Sequence, residues 1–207
     1  MREERITVGA HELVLSRPDD PESLIDEARF GIDEFMPYWA ELWPSGIALA
    51  RHVVGLPLGE TRVLELGCGL GLPSLAAALA GARVLATDWA PEALALLEAN
   101  AAANGIRVET ALLDWRFGTP PRGPFDLVLA ADVLYEARNA EPLLALLEEA
   151  VADGGVAIVA DPGRRHAPAF FEAATAAGWA ARAVEVTELP AGGITVLRRG
   201  TRADARL

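Results

Sequence analysis

Five short stretches carry the residue types from which a ligand site with proton-handling chemistry is made. They are Leu42-Trp43-Pro44-Ser45-Gly46, Glu65-Leu66-Gly67-Cys68-Gly69-Leu70-Gly71, Thr87-Asp88-Trp89, Asp114-Trp115 and Ala131-Asp132-Val133-Leu134-Tyr135. In the second, an apolar run meets glycines at alternate positions 67, 69 and 71. Glycine lets the backbone approach a ligand closely, and the start of the helix expected to follow favours a negative group. The dinucleotide fingerprint places its last glycine one residue later. The pattern therefore points to a nucleotide cofactor other than NAD, and no histidine and arginine pair for hydride transfer stands out.

The cofactor this suggests is S-adenosylmethionine. Glu65 lies two residues before the first glycine and suits the methionine ammonium, while the helix start suits the methionine carboxylate. Asp88 suits the two ribose hydroxyls, as the acid ending the equivalent strand does in dinucleotide folds. Asp114 is placed to accept from the adenine amino group, and Trp115 to frame the ring. Cys68 in the same turn and Trp89 beside Asp88 are counted among the expected cofactor contacts. Blander roles stay open: Asp88 as a cap for the Pro91 helix, and Trp115 as ordinary core.

Asp132 and Tyr135 put a carboxylate and a phenol three residues apart, beside the expected sulfonium position. An amine acceptor such as lysine, which ordinarily titrates near ~10.4, must lose a proton before it attacks. Asp132 would hold the group and Tyr135 would orient its lone pair. The alternative is that Asp132 caps the next turn and Tyr135 packs on a lid.

These residues need elements to hold them. Strands are expected at Arg62 to Leu66, Arg83 to Thr87, Arg107 to Leu112, Phe125 to Ala130 and Val156 to Ala160. Helices are expected at Leu72 to Ala80, Pro91 to Asn104, Glu141 to Ala152 and Ala167 to Ala177. This alternation is the mark of a parallel α/β sheet covered on both faces. Ala181 to Val186 and Ile194 to Arg198 follow as an antiparallel pair, because their linker is too short for a helical crossover. In such sheets ligands sit beyond the carboxyl ends of the strands, where all the acids above fall.

The first sixty residues read differently. Ile6 to Val8 and Glu12 to Leu15 suggest a hairpin around Gly9-Ala10, with a helix near Pro21 to Ala28. The stretch from Pro37 to Arg51 is aromatic first and helical after Pro44. Residues 1–60 are expected to form an N-terminal lid on a single domain, 61–198 its Rossmann-like core, and 199–207 a loose tail.

A chain of 207 residues fits one domain that buries roughly 70% of its unfolded surface. The net charge of −12 disfavours a phosphate backbone as partner. It favours encounter with a cationic partner such as a lysine-rich protein surface. All 18 basic residues are arginine, which a G+C-rich coding bias explains. One cysteine, Cys68, with His11, His52 and His166 scattered, provides no zinc spacing, so no metal is expected. The absence of an apolar span or signal segment leads to the expectation of a cytoplasmic protein with no membrane partner.

With these motifs in order, the chain resembles the class I, seven-strand S-adenosylmethionine-dependent methyltransferases. More narrowly it is similar to methyltransferase family 16, in the branch of the electron-transfer flavoprotein β-subunit lysine methyltransferase and bacterial nicotinamide-N-methyltransferase-like proteins. The resemblance covers about Pro37 to Asp161. It implies a strand order of 3-2-1-4-5-7-6, cofactor contacts from Trp43, the Gly67 to Gly69 turn, Asp88, Trp115 and Ala131, and an Asp-x-x-Tyr acceptor motif in Asp132 and Tyr135. The resemblance does not carry the acceptor; Asp132 and Tyr135 on an acidic chain lead to the expectation of a protein lysine, with a small-molecule amine or ring nitrogen as the alternative. Where adenine-N6 and glutamine methyltransferases carry Asn-Pro-Pro-Tyr, this chain has Asp132-Val133-Leu134-Tyr135, which weakens a nucleic-acid reading further. An oxidoreductase and a non-catalytic cofactor-binding module are the readings from other classes.

Overall fold

The computed structural model describes residues 1–24 and 37–200. Seven strands build the main sheet: β3 (Arg62–Leu66), β4 (Arg83–Asp88), β5 (Glu109–Leu112), β6 (Phe125–Ala131), β7 (Val151–Asp161), β8 (Trp179–Val184) and β9 (Gly193–Arg199). Their spatial order is β5-β4-β3-β6-β7-β9-β8. Counted from β3 this is the expected 3-2-1-4-5-7-6, and β9 runs antiparallel to both its neighbours. Leaving one strand from β3 to β4 and the next from β3 to β6 opens a crevice at the carboxyl end of β3, where the chain order reverses.

The period-2 pattern sets which side of the sheet each residue joins. Leu64, Leu66, Val128 and Ala130 pack with α4 (Ala140–Ala150) and α5 (Ala167–Ala176). Val63, Leu127 and Leu129 pack on the other face with α1 (Pro44–Val53). α2 (Leu72–Leu79) and α3 (Pro91–Ala103) share that second face. Pro44, Pro73 and Pro91 sit in first turns, where the missing N–H would have no intrahelical partner.

Several boundaries differ from expectation. α4 stops at Ala150, and β7 begins at Val151, not Val156. Val151 pairs with Phe125 and Val156 with Leu127, so the residues around Gly154-Gly155 are extra length accommodated by a register shift. β5 starts two residues later than expected. β8 starts two earlier, because Gly178 ends α5 at a φ of 94° and the next residue, Trp179, is buried as the strand's anchor.

The N-terminal hairpin is longer than its apolar core suggested, with β1 (Arg2–Val8) against β2 (His11–Arg17). It docks along α3. Asn100 and Asn104 act as backbone mimics there: Asn104 Oδ1 accepts from Val14 N–H (2.9 Å) and its Nδ2 donates to Val14 O (2.7 Å). Asn100 does the same for Ser16. A 3-10 turn spans Pro21–Leu24; the rest of the helix expected to Ala28 and the tail at 201–207 lie outside the described residues. Among the described residues no helix is long and apolar enough to cross a membrane.

Candidate active site

The crevice at the carboxyl edge holds a cleft of about 700 Å³ including its open mouth, within the roughly 300–1,000 Å³ of small-molecule sites. Glu65, Gly67, Cys68, Gly69, Gly71, Asp88, Trp89, Trp115, Ala131, Asp132, Tyr135 and Trp43 all line it. Asp114 is the one expected contact that does not. It lies in an adjoining pocket shared with Trp89, Trp115 and Tyr135, its carboxylate forked onto Arg116 (Nη2–Oδ2 2.6 Å). The hydrogen bond from Arg116 holds the Asp114 carboxyl below its usual range.

The glycine turn is shaped by two buried acids. Ser74, in the first turn of α2, donates its hydroxyl and its backbone N–H to Glu65, so the end of β3 caps the helix that follows it. Asp88 Oδ2 accepts from Gly69 N–H (2.9 Å) and Oδ1 from Ala90 N–H (3.0 Å), tying the glycine turn to the entry of α3. A carboxylate oxygen has two lone pairs, so these bonds leave acceptor capacity for a ligand. Burial pushes the Glu65 carboxyl up to about 8 against the pull of Ser74, with the Asp88 charge adding to it. Burial pushes Asp88 up to about 6 against the N–H groups of Ala90, Gly69 and Trp89. Both acids are thus held where a ligand ammonium or hydroxyl would favour the ionised form.

Gly71 is required twice over. Its φ is 79°, and a Cβ there would fall 1.9 Å from Leu97 Cδ1 of α3. At Gly67 a Cβ would stand 3.2 Å from the Trp115 ring, which closes one wall of the cleft.

On the far side of β3, β6 delivers Asp132 in a left-handed conformation (φ 56°) with its N–H bonded to Ala160 O (2.9 Å). Strain of this kind in a non-glycine residue survives where the surroundings over-determine it, and functional sites collect it. The Asp132 side chain is 4% exposed. Arg164 grips it with both arms of the fork, Nε to Oδ1 at 2.8 Å and Nη2 to Oδ2 at 3.2 Å. Tyr135 meets Tyr38 edge to face at 5.3 Å, and Tyr38 meets Trp43 at 6.1 Å. Burial raises the Tyr135 phenol, so it stays protonated as a donor. These aromatic groups, Asp132, Glu136 and Arg164 enclose a second hollow of about 530 Å³ opening off the cleft.

The strap over this edge is residues 37–46. Trp39, Leu42 and Trp43 line the cleft, and a Cβ on Gly69 would lie 3.0 Å from Trp39 O. Trp43 Nε1 donates to Tyr38 O (2.8 Å), closing the strap on itself. Tyr38 and Trp39 come from the aromatic stretch expected to form the lid, whereas Arg164 belongs to the site without having been singled out by any sequence motif. The signal for Arg164 is its place directly after the acidic strand end, in Asp161-Pro162-Gly163-Arg164.

Comparison with known proteins agrees with this geometry. A family model described as lysine methyltransferase, methyltransferase family 16, matches residues 39–177. The electron transfer flavoprotein beta subunit lysine methyltransferase of Danio rerio is 36% identical over 132 residues, 62% of this chain and 51% of that protein. The ribosomal protein L11 methyltransferase of Thermus thermophilus is 37% identical over 139 residues, 64% of this chain and 49% of that one. The chain spans about half the length of the curated relatives it matches. Among solved structures, the T. thermophilus 16S rRNA N2 G1207 methyltransferase in complex with AdoMet and guanosine superposes with a TM-score of 0.63 over 98% of this chain and 46% of its own, at 19% identity, a likeness of fold. From the glycine turn, the strand order and the family match over two thirds of its length, the chain belongs to methyltransferase family 16 of the class I S-adenosylmethionine-dependent methyltransferases.

Proposed function

We propose that this protein transfers a methyl group from S-adenosylmethionine to the side-chain amine of a protein lysine. The observation that carries the reading is the second hollow, where a buried carboxylate and a half-buried phenol converge at the rim of the cofactor cleft. The residues present suit the cofactor: a glycine cradle that side chains would fill, a buried acid for the ammonium at Glu65 and another for the ribose at Asp88. When bound, S-adenosylmethionine supplies an electrophilic methyl on a sulfonium, a good leaving group.

What is left for the chain is to place an amine and let its proton go. Asp132 accepts an N–H of the amine and Tyr135 sets the direction of its lone pair. The aromatic groups of Tyr38, Trp43 and Tyr135 form a wall for the apolar stem of the lysine side chain. Support for a protein acceptor comes from the relatives' names and from the net charge of −12. A small-molecule amine is the second reading, favoured by the depth at which Asp132 is buried.

The test is incubation with methyl-labelled S-adenosylmethionine and an undermethylated lysate, followed by mass spectrometry of proteins and metabolites. This chain contains no lysine, so a methyllysine found there belongs to another protein. Methyllysine in one protein band supports the proposal; label confined to small molecules overturns it in favour of the second reading.

A further inference from the structure

The Asp132 carboxylate has an occupant that the amine must share it with. Arg164 holds both oxygens, and Arg164 is itself held from two other sides. Its guanidinium carbon lies 5.7 Å from the Trp43 ring centroid. Its backbone N–H and that of Gly163 donate to Asp161 Oδ1 at 2.7 and 2.8 Å, fixing the turn that carries it. Asp161 is 4% exposed, and its Oδ2 is buried without a hydrogen-bond partner. Two neighbouring strand ends, β6 and β7, thus each present a buried acid, with one arginine between them.

A bare buried carboxylate would be a poor partner for an amine that must become neutral. An opposite charge within about 4–6 Å shifts a pKa by roughly one to three units toward the charged form. Asp132 alone would keep a lysine as its ammonium, with no lone pair to attack. Resting on the methyl-transfer reading above, we propose that Arg164 is a positioning residue that neutralises the acceptor pocket, so that Asp132 orients the amine without holding its proton. The proton leaves to solvent before transfer, and the lone pair it frees is the one that attacks.

Arg164 is suited to this. A guanidinium stays charged at any working pH, and its flat fork leaves other lone pairs of the carboxylate open to the amine. Its hydrogen bond with Asp132 raises its own pKa further. The other charged and titratable groups facing the pocket are Glu136 and Tyr135 after β6, Tyr38 on the strap and Asp161 on β7, with Glu65 and Asp88 deeper in the cleft. Glu136 is paired with Arg138 of the adjoining pocket, so among the described residues lining the hollow Arg164 is the cation that faces the other acids.

The experiment compares wild type with Arg164→Gln and Arg164→Lys. In calorimetric titrations with n-butylamine and S-adenosylhomocysteine at pH 8, in buffers of different ionisation enthalpy, wild type is expected to release a proton as the amine binds. Arg164→Gln is expected to bind the amine about tenfold more tightly and release almost none, which corresponds to a bound-state shift of about two pKa units. The rate of label transfer to lysate protein should then show an ascending pH limb displaced upward by about two units in Arg164→Gln. Arg164→Lys should restore the limb, because it keeps the charge, while lowering the plateau, because it loses the fork. Equal amine affinity in wild type and Arg164→Gln, including binding to neither, overturns the proposal, as does a loss of rate that is uniform across pH. Absence of transfer to any protein or amine by wild type is a separate failure, that of the methyltransferase reading itself.

Discussion

The two halves of the cleft bury carboxylates in opposite ways. On the β3–β4 side, Glu65 and Asp88 are met only by neutral donors, the Ser74 hydroxyl and backbone N–H groups, and burial drives both toward their protonated forms. On the β6–β7 side, Asp132 is gripped by a guanidinium. The difference matches what the proposed roles ask each half to receive. An acid left short of a cation is ready for a ligand that brings one, as the cofactor's ammonium does. An acid already neutralised can orient an incoming amine without fixing its charge.

The hardest blow to the first half is Gly71→Ala. A methyl group 1.9 Å from Leu97 Cδ1 at a φ of 79° forces α3 away from the turn, and left-handed strain with overpacking costs about 3 kcal/mol. Thermal denaturation should show a Tm lower by several degrees, with cofactor binding lost in titration.

Glu65→Gln sharpens the comparison through pH. The folded Glu65 carboxyl binds its proton up to about pH 8, against 4.5 for an unperturbed glutamate. Its contribution to stability is therefore full below pH 4.5 and lost as pH rises through that window. The glutamine variant should equal wild type in Tm near about pH 4, exceed it at about pH 8, and bind S-adenosylmethionine about tenfold more weakly there. A wild-type Tm flat across the window would contradict the account of this half.

On the acceptor side, Tyr135→Phe keeps the ring against Tyr38 and removes only the hydroxyl. The expected effect is the smallest, a fall of about tenfold in kcat, about the net worth of one hydrogen bond. Cofactor affinity should stay within twofold, measured on the same preparation.

Much of this was legible from local signals. The strand order followed from the resemblance, and the alternation of strands and helices rests on period-2 and helical patterns that act within ten residues. The glycine turn announced itself because glycine takes the left-handed angles at 67, 69 and 71 without the strain a side chain adds. Asp132 and Tyr135 were visible because both stand at one strand end. Arg164 was not, since its pairing with Asp132 spans 32 residues and depends on β7 lying beside β6. Likewise nothing local marks Asn100 and Asn104, and the docked hairpin gives them backbone partners. The start of β7 escapes a local reading because Gly154-Gly155 reads as a break, whereas the strand passes through it.

The most direct test of separable halves is to measure Asp132→Ala twice on one preparation, for S-adenosylmethionine affinity by calorimetry and for methyl transfer to lysate protein. Asp132 holds no part of the glycine turn, so affinity should stay within about threefold while transfer falls about a hundredfold, roughly the 1.5–3 kcal/mol of a charged hydrogen bond. Loss of both together, or transfer that survives intact, would contradict the assignment of Asp132 to the acceptor.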